Sequence, residues 1–291
     1  MKLKEALQRK DFVVTSEFQS PMDKDPNELI ESLKLVRGRV DGVSLSEIDF
    51  EGVAVDSINA CDVLKHNRFE PIYQTTTRNK DRLQLQQDLL HAHESCIDNL
   101  LVFTEDYRIT GDSLNEMMFF HVDAGKLQSV LEHLRKGQTL EGKELSASAE
   151  FFMGSGVESG WGKNVPDLEM KEMEEMIQIG TGYFLTTPVF DLDRFEKFLG
   201  RTNTFGIPVI AEVMIIRTAG MAKFLNRHMK PGLVPEWMIR KLSEAADKEQ
   251  ASIELFSDTI KGLKQLCQGV HIITIGGEDK LRKYFDAAGL K

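Results

Sequence analysis

Carboxylates, hydroxyls and one arginine recur in this sequence at one kind of place, just after short apolar runs. Glu17 ends the run 12–18, FVVTSEF. Ser44, Ser46 and Glu47 end the second run, 42–46. Gln74, Thr76, Thr77 and Arg78 close the third, and Thr104, Glu105 and Asp106 close the fourth. The later runs end in Gly154, Ser155, Gly156 and Glu158, in Thr186 and Thr187, in Glu212 and Met214, and in Gly276 and Gly277. An acid at the end of an apolar strand is a general-acid candidate, because desolvation disfavours the charged carboxylate and keeps a proton available near neutral pH. Glu17 is such an acid; a rim glutamate paired with Lys or Arg fits the same position. Strand-end histidines and lysines are missing, so neither a Ser–His–Asp triad nor a Schiff base is assembled here. Hydroxyls and acids in one mouth fit a polar heteroaromatic ligand held by hydrogen bonds, with proton transfer from a carboxyl.

The elements that must hold these residues are organised around the stretch 70–106. It reads as a strand, a polar turn at 77–80, an amphipathic helix at 81–94 and a second apolar strand at 99–104. Leu83, Leu85, Leu89, Leu90 and Ala92 supply the helix's apolar face. A strand–helix–strand unit of this length is a parallel crossover, so the residues after both strands share one edge of a sheet, where they serve either chemistry or, on spacing alone, a plain structural βαβ unit. Four further β-prone runs follow, at 150–154, 182–186, 207–216 and 270–275. Helical patterns lie between the runs, at 26–37, 53–66, 126–135, 167–179, 191–199 and 219–229. A helix pair at 235–244 and 247–268 precedes the last strand, and a helix at 278–287 closes the chain.

Eight strands alternating with helices predict an α/β fold, a (β/α)8 TIM barrel forming a single domain over residues 1–291. A doubly wound sheet is the rival, and no GxGxxG follows the first strand to support it. The widest gap between strands predicts a long loop after strand four, about 105–125, over the face where barrels place their chemistry.

A net charge of −10 argues against a general nucleic-acid or anionic-membrane surface. Hydrophobic content of 41% and charged content of 28% suit a soluble chain, and no apolar run reaches membrane-spanning length. The charged start, MKLKEALQRKD, has no signal-peptide core, so a cytoplasmic location is expected. Cys61, Cys96 and Cys267 form no CxxC pair, and His91 and His93 do not share a helix face, so no metal site is expected. Cys61 and Cys96 read as small core residues on helices.

The runs TTTRNKDRLQLQQDLL and NLLVFTED resemble the third and fourth strands of methylenetetrahydrofolate reductases, most closely the short-chain type of anaerobic bacteria. SEFQSP, FFHVDAGKLQSVL, GKEL, EFFMG, LTTPVFDLDRFEKFL, GIPVIAEVMII, Gly220–Met221, VPEWMIRKL and GVHIITIG extend the resemblance along nearly the whole chain, in order. It implies a flavoprotein barrel of one-carbon metabolism serving methionine biosynthesis. Such an oxidoreductase passes a hydride from reduced flavin to 5,10-methylenetetrahydrofolate, giving 5-methyltetrahydrofolate. It implies Glu17 as the acid that protonates the folate, and Asp106 as the aspartate between flavin and pterin. It further implies flavin contacts from Ser46, Gln74, Thr104, Asp106, Phe120, His121 and Gly154, and folate contacts from Glu17, Asp106 and Thr187. The implied cofactor is FAD, with FMN or loss of the flavin as alternatives. The implied partners are a folate substrate and NAD(P)H or a redox subunit as electron donor, in a homo- or hetero-oligomer.

The sequence also departs from the family pattern. Thr77 replaces a cysteine, Thr104 and Glu105 replace the pair before the aspartate, and Glu158–Ser159 replaces an Asn-Pro or His-Pro. Thr187 replaces the glutamine that reads the pterin and is too short for the same bidentate contact. Glu174, Glu175 and Met176 stand where basic residues face the flavin phosphates, and acids there would repel a pyrophosphate. These changes frame a second reading: a folate-binding or reductase-like subunit with an altered or lost flavin site, working only with an electron-donating partner.

Overall fold

Eight parallel strands close on themselves in chain order, each pairing with the next and the last with the first. They are β1 (Val13–Phe18), β2 (Gly42–Leu45), β3 (Pro71–Thr76), β4 (Asn99–Phe103), β5 (Phe152–Val157), β6 (Thr181–Pro188), β7 (Val209–Met214) and β8 (Gly269–Ile273). The computed structural model describes residues 3–9, 11–18, 26–45, 57–77, 80–103, 123–159, 167–229, 231–274 and 280–290. The fold is the (β/α)8 barrel expected from the alternation of runs.

A helix before β1, α1 (Leu3–Gln8), was not apparent in the sequence. The outer layer continues with α2 (Pro26–Lys34), α3 (Ser57–His66), α4 (Arg82–Glu94), α5 (Ala124–Arg135), α6 (Asp167–Gln178) and α7 (Leu192–Thr202). Between β7 and β8 come three helices, α8 (Ala219–His228), α9 (Glu236–Glu244) and α10 (Lys248–Leu266), and α11 (Leu281–Ala287) follows β8. Side-chain caps start several of them where the sequence places an acid or hydroxyl. Asp81 accepts from Gln84 N, Asp191 from Arg194 N, Thr218 from Met221 N and Asp247 from Gln250 N.

Strand alternation divides the barrel residues into two sets. Val14, Phe18, Val43, Leu45, Leu100, Val102, Val270 and Ile272 point outward and pack with the helices in the main core. Val13, Ile72, Leu101, Tyr183, Leu185 and Ile210 point inward and fill the lower barrel. Leu3, Ala6 and Leu7 of α1 join that inner cluster at i, i+3 and i+4, so the first helix plugs the barrel's base.

Several local expectations are corrected. β5 starts and ends later than the run 150–154, and β6 extends through Pro188. On α4 the buried residues are Leu85, Gln86, Leu89 and Ala92, whereas Leu83 is exposed. Cys61 is buried, but Cys96 is exposed at a positive φ of 54° beyond the end of α4, outside any core. Burial pushes the Cys267 thiol up to about 11, so it is not a ready nucleophile at neutral pH.

Tyr183 gives a first test of the inner core. Its ring is 2% exposed, and its hydroxyl has no hydrogen-bond partner among the described residues. Burial alone pushes the phenol well above its ordinary pKa. Tyr183→Phe removes an unsatisfied buried group and keeps the ring, so stability is expected to rise by about 1 kcal/mol. A higher urea midpoint at unchanged slope is the readout. A lower midpoint would show that the hydroxyl is bonded.

Candidate functional site

The barrel mouth is built from the inward set at the C-terminal ends of the strands. On β1, Val13, Thr15 and Glu17 share the inner face, and only Glu17 reaches the rim, with its side chain 18% exposed. On β3, Ile72 lies in the lower core and Gln74 lies one layer above it. Gln74 donates from Nε2 to Glu17 Oε2 at 2.6 Å and to Ser44 Oγ at 2.8 Å. The carboxamide therefore fixes the Glu17 carboxyl against the wall formed by β1, β2 and β3.

Beneath this pair lies a residue that the sequence reading did not single out. His271 of β8 is inward, and its side chain is 2% exposed. Its Nδ1 lies 2.8 Å from Thr15 Oγ1, its Nε2 3.5 Å from Ser44 Oγ and 3.7 Å from Glu17 Oε2. Glu212 of β7 is its register partner, also on the inward parity and 1% exposed. Two carboxyls, an imidazole, a carboxamide and two hydroxyls thus form a polar layer between the apolar base and the mouth. Of the strand-end polar residues expected at the mouth, Glu17, Ser44 and Gln74 fall among the described residues of this wall, with a buried histidine beneath them.

The other sequence candidates fall in three groups. Ser46, Glu47, Arg78, Thr104, Glu105, Asp106, Phe120, His121, Gly276 and Gly277 lie outside the described residues, as does the body of the loop at 105–125. Thr187, at the end of β6, is buried and tied to its neighbour. Its Oγ1 accepts from Ser159 N at 3.4 Å and lies 3.2 Å from Ser159 Oγ. The Glu158–Ser159 pair therefore meets β6 through that hydroxyl, and Glu158 N donates to Glu169 Oε1 of α6 at 2.9 Å.

Gly154 belongs to the third group, those placed away from the mouth. It is the third residue of β5, and a Cβ added to it would lie 2.1 Å from Tyr183 Cζ. The space where a side chain would stand is filled by the Tyr183 ring, which belongs to the lower inner cluster. Among the expected phosphate neighbours, Met176 is buried in the main core and does not face solvent. Glu174 and Glu175 are exposed in the second half of α6, where Glu175 lies 3.8 Å from Lys171.

The end of β3 is pinned to the start of α5. Thr77 Oγ1 accepts from Asp123 N at 3.0 Å, and Lys126 Nζ donates to Thr77 O at 3.1 Å and Lys80 O at 2.9 Å. A small apolar cavity lies between β6, β7, α9 and α10, and a more polar one is lined by Ser159, Pro188, Asp191, Arg194 and Leu233. No group of three or more His, Cys, Asp or Glu among the described residues is arranged to hold a metal ion. No helix among them is long and apolar enough to cross a membrane.

Fold and mouth together define a (β/α)8 barrel with a hydrogen-bonding, acid-bearing mouth. Within that class the chain belongs to the methylenetetrahydrofolate reductase family, whose model matches residues 2–289. No curated protein sequence matches it. Among solved structures, an uncharacterized protein from Clostridium thermocellum, described as binding two copies of 5-methyl-5,6,7,8-tetrahydrofolic acid, aligns with a TM-score of 0.64 at 12% identity, covering 99% of this chain and 98% of that one. Tryptophan synthase from M. tuberculosis aligns at 0.55 and 11% identity, covering 98% and 96%. 2,3-Dimethylmalate lyase aligns at 0.52 and 10%, covering 93% and 78%. At these identities the likeness shows the fold alone.

Proposed function

We propose that this protein reduces 5,10-methylenetetrahydrofolate to 5-methyltetrahydrofolate and that Glu17 is its proton donor. The observation that carries the reading is the Glu17 carboxyl, inward at the end of β1 and held there by Gln74. Membership of the family supports the reaction, and the polar wall of Glu17, Gln74 and Ser44 suits the hydrogen-bonding edge of a pterin or an isoalloxazine ring. FAD, when bound, supplies the hydride. Ser46, Gln74, Thr104, Asp106, Phe120, His121 and the backbone at Gly154 are its proposed contacts. Glu17 and Asp106 are the proposed catalytic pair, and Thr187 completes the proposed folate contacts. NAD(P)H or a redox subunit is the proposed electron donor.

Glu174 and Glu175, standing where the family has basic residues, favour keeping a second reading. In it the barrel binds folate and receives electrons through a partner subunit. The Clostridium relative's binding of a methylated folate suits either reading. The purified chain separates them. Absorbance near 450 nm, bleached by reductant and restored by methylenetetrahydrofolate, is the expected result. A colourless protein that takes up no added FAD or FMN but binds 5-methyltetrahydrofolate leaves the subunit reading. Failure to bind any tetrahydrofolate removes both.

A further inference from the structure

We propose that His271 is a positioning residue that shares a proton with Glu17 and reloads it after each turnover. The inference rests on the reading of Glu17 as proton donor. A carboxyl that has protonated its substrate must regain a proton before it acts again. Gln74 donates its amide hydrogens to Glu17 and Ser44, so it holds the carboxyl but has no acidic proton to give. Directly beneath, His271 carries the side chain type that exchanges protons most readily near neutral pH.

The imidazole is aimed by its neighbours. Thr15 Oγ1 donates to Val270 O at 3.4 Å and is left to accept from His271 Nδ1 at 2.8 Å. That fixes Nδ1 on the β1 side and turns Nε2 toward Glu17 Oε2, 3.7 Å away, and Ser44 Oγ, 3.5 Å away. Closing the first gap by about 1 Å gives a charge-assisted hydrogen bond. In the transfer the Nε2–H bond of the imidazolium breaks, an O–H bond forms on Glu17, and the imidazole is left neutral. Solvent entering the mouth after product leaves returns the proton. The charged groups facing His271 among the described residues are Glu17 from β1 and Glu212 from β7.

Nitrogen-15 NMR of the imidazoles tests the pairing without any need for activity. The His271 signal is identified by its absence in His271→Asn, or in His271→Gln if the first variant does not fold. In Glu17→Gln the Nε2 signal is expected to move while the Nδ1 signal, held at Thr15, stays, since the carboxylate 3.7 Å from Nε2 is removed. An unchanged Nε2 signal overturns the proposal. The kinetic arm is a double-mutant cycle on folate reduction. His271→Asn is expected to slow the protein about tenfold when Glu17 is present and to add nothing in Glu17→Gln; equal slowing in both backgrounds means a structural role only and overturns the proposal. A moved Nε2 signal in a protein that does not reduce folate removes the proposed reaction but keeps the pairing of His271 with Glu17. Normal reduction with an unchanged Nε2 signal does the reverse.

Discussion

Glu17→Gln is expected to slow reduction of methylenetetrahydrofolate by at least ~10²-fold, the usual yield of a positioned acid. Glutamine keeps the size and planarity of the side chain, and its carbonyl oxygen still accepts from Gln74 Nε2, so the wall of the mouth is preserved. What it removes is the transferable proton. Reduction of the bound flavin by an artificial donor should therefore stay near wild-type rates, because that step does not use the folate's proton. Folate affinity should change only severalfold, since the hydrogen-bonding outline is kept. Rapid mixing of the pre-reduced variant with folate, followed by flavin reoxidation, reads the two steps apart. Wild-type reoxidation rates in Glu17→Gln would remove this carboxyl from the mechanism.

The barrel was legible because its determinants are local. Apolar runs mark the strands, acids and hydroxyls cap the helices, and their alternation specifies the parallel closure seen. Glu17 was legible for a related reason, as a charged residue on an apolar strand next to a polar loop. His271 was not. In VHIITI it sits among apolar residues near the start of its strand, where a histidine reads as core. Its partners Thr15 and Ser44 lie 256 and 227 residues away, so only closure of β8 onto β1 reveals them. The end of β5 was misplaced because Gly154, Ser155 and Gly156 are poor strand formers. Pairing with β4 and β6 overrides that preference, and the inward glycines make room for Tyr183 and Phe103. Helix α1 was missed because six residues are too few for a period to declare itself. Its burial comes from the barrel base that it closes.

Closure itself supplies the largest expected effect on stability. Gly269 opens β8 and pairs with Ile210 of β7 on one side and Val13 of β1 on the other. A Cβ added there would lie 2.5 Å from the Val13 carbonyl oxygen and 3.0 Å from Val13 Cβ. The obstacle is the backbone of the neighbouring strand, which cannot turn aside as a flexible side chain does. Relief requires β1 and β8 to separate, and the bond from Val13 N to Gln268 O, at 2.9 Å, lies beside the clash. Gly269→Ala is therefore expected to cost on the order of 3 kcal/mol, the upper end of ordinary overpacking. For a chain of this size that lowers Tm by roughly 5–10 °C. Gly200 in α7 is the matched control, because an added Cβ there meets nothing within 4 Å. Gly200→Ala should stabilise by about 0.5–1 kcal/mol through helix propensity. The two substitutions add the same methyl group, so opposite shifts in thermal unfolding isolate the role of the strand contact. If Gly269→Ala unfolds at the wild-type temperature, the seam between the first and last strands has slack that the geometry does not show.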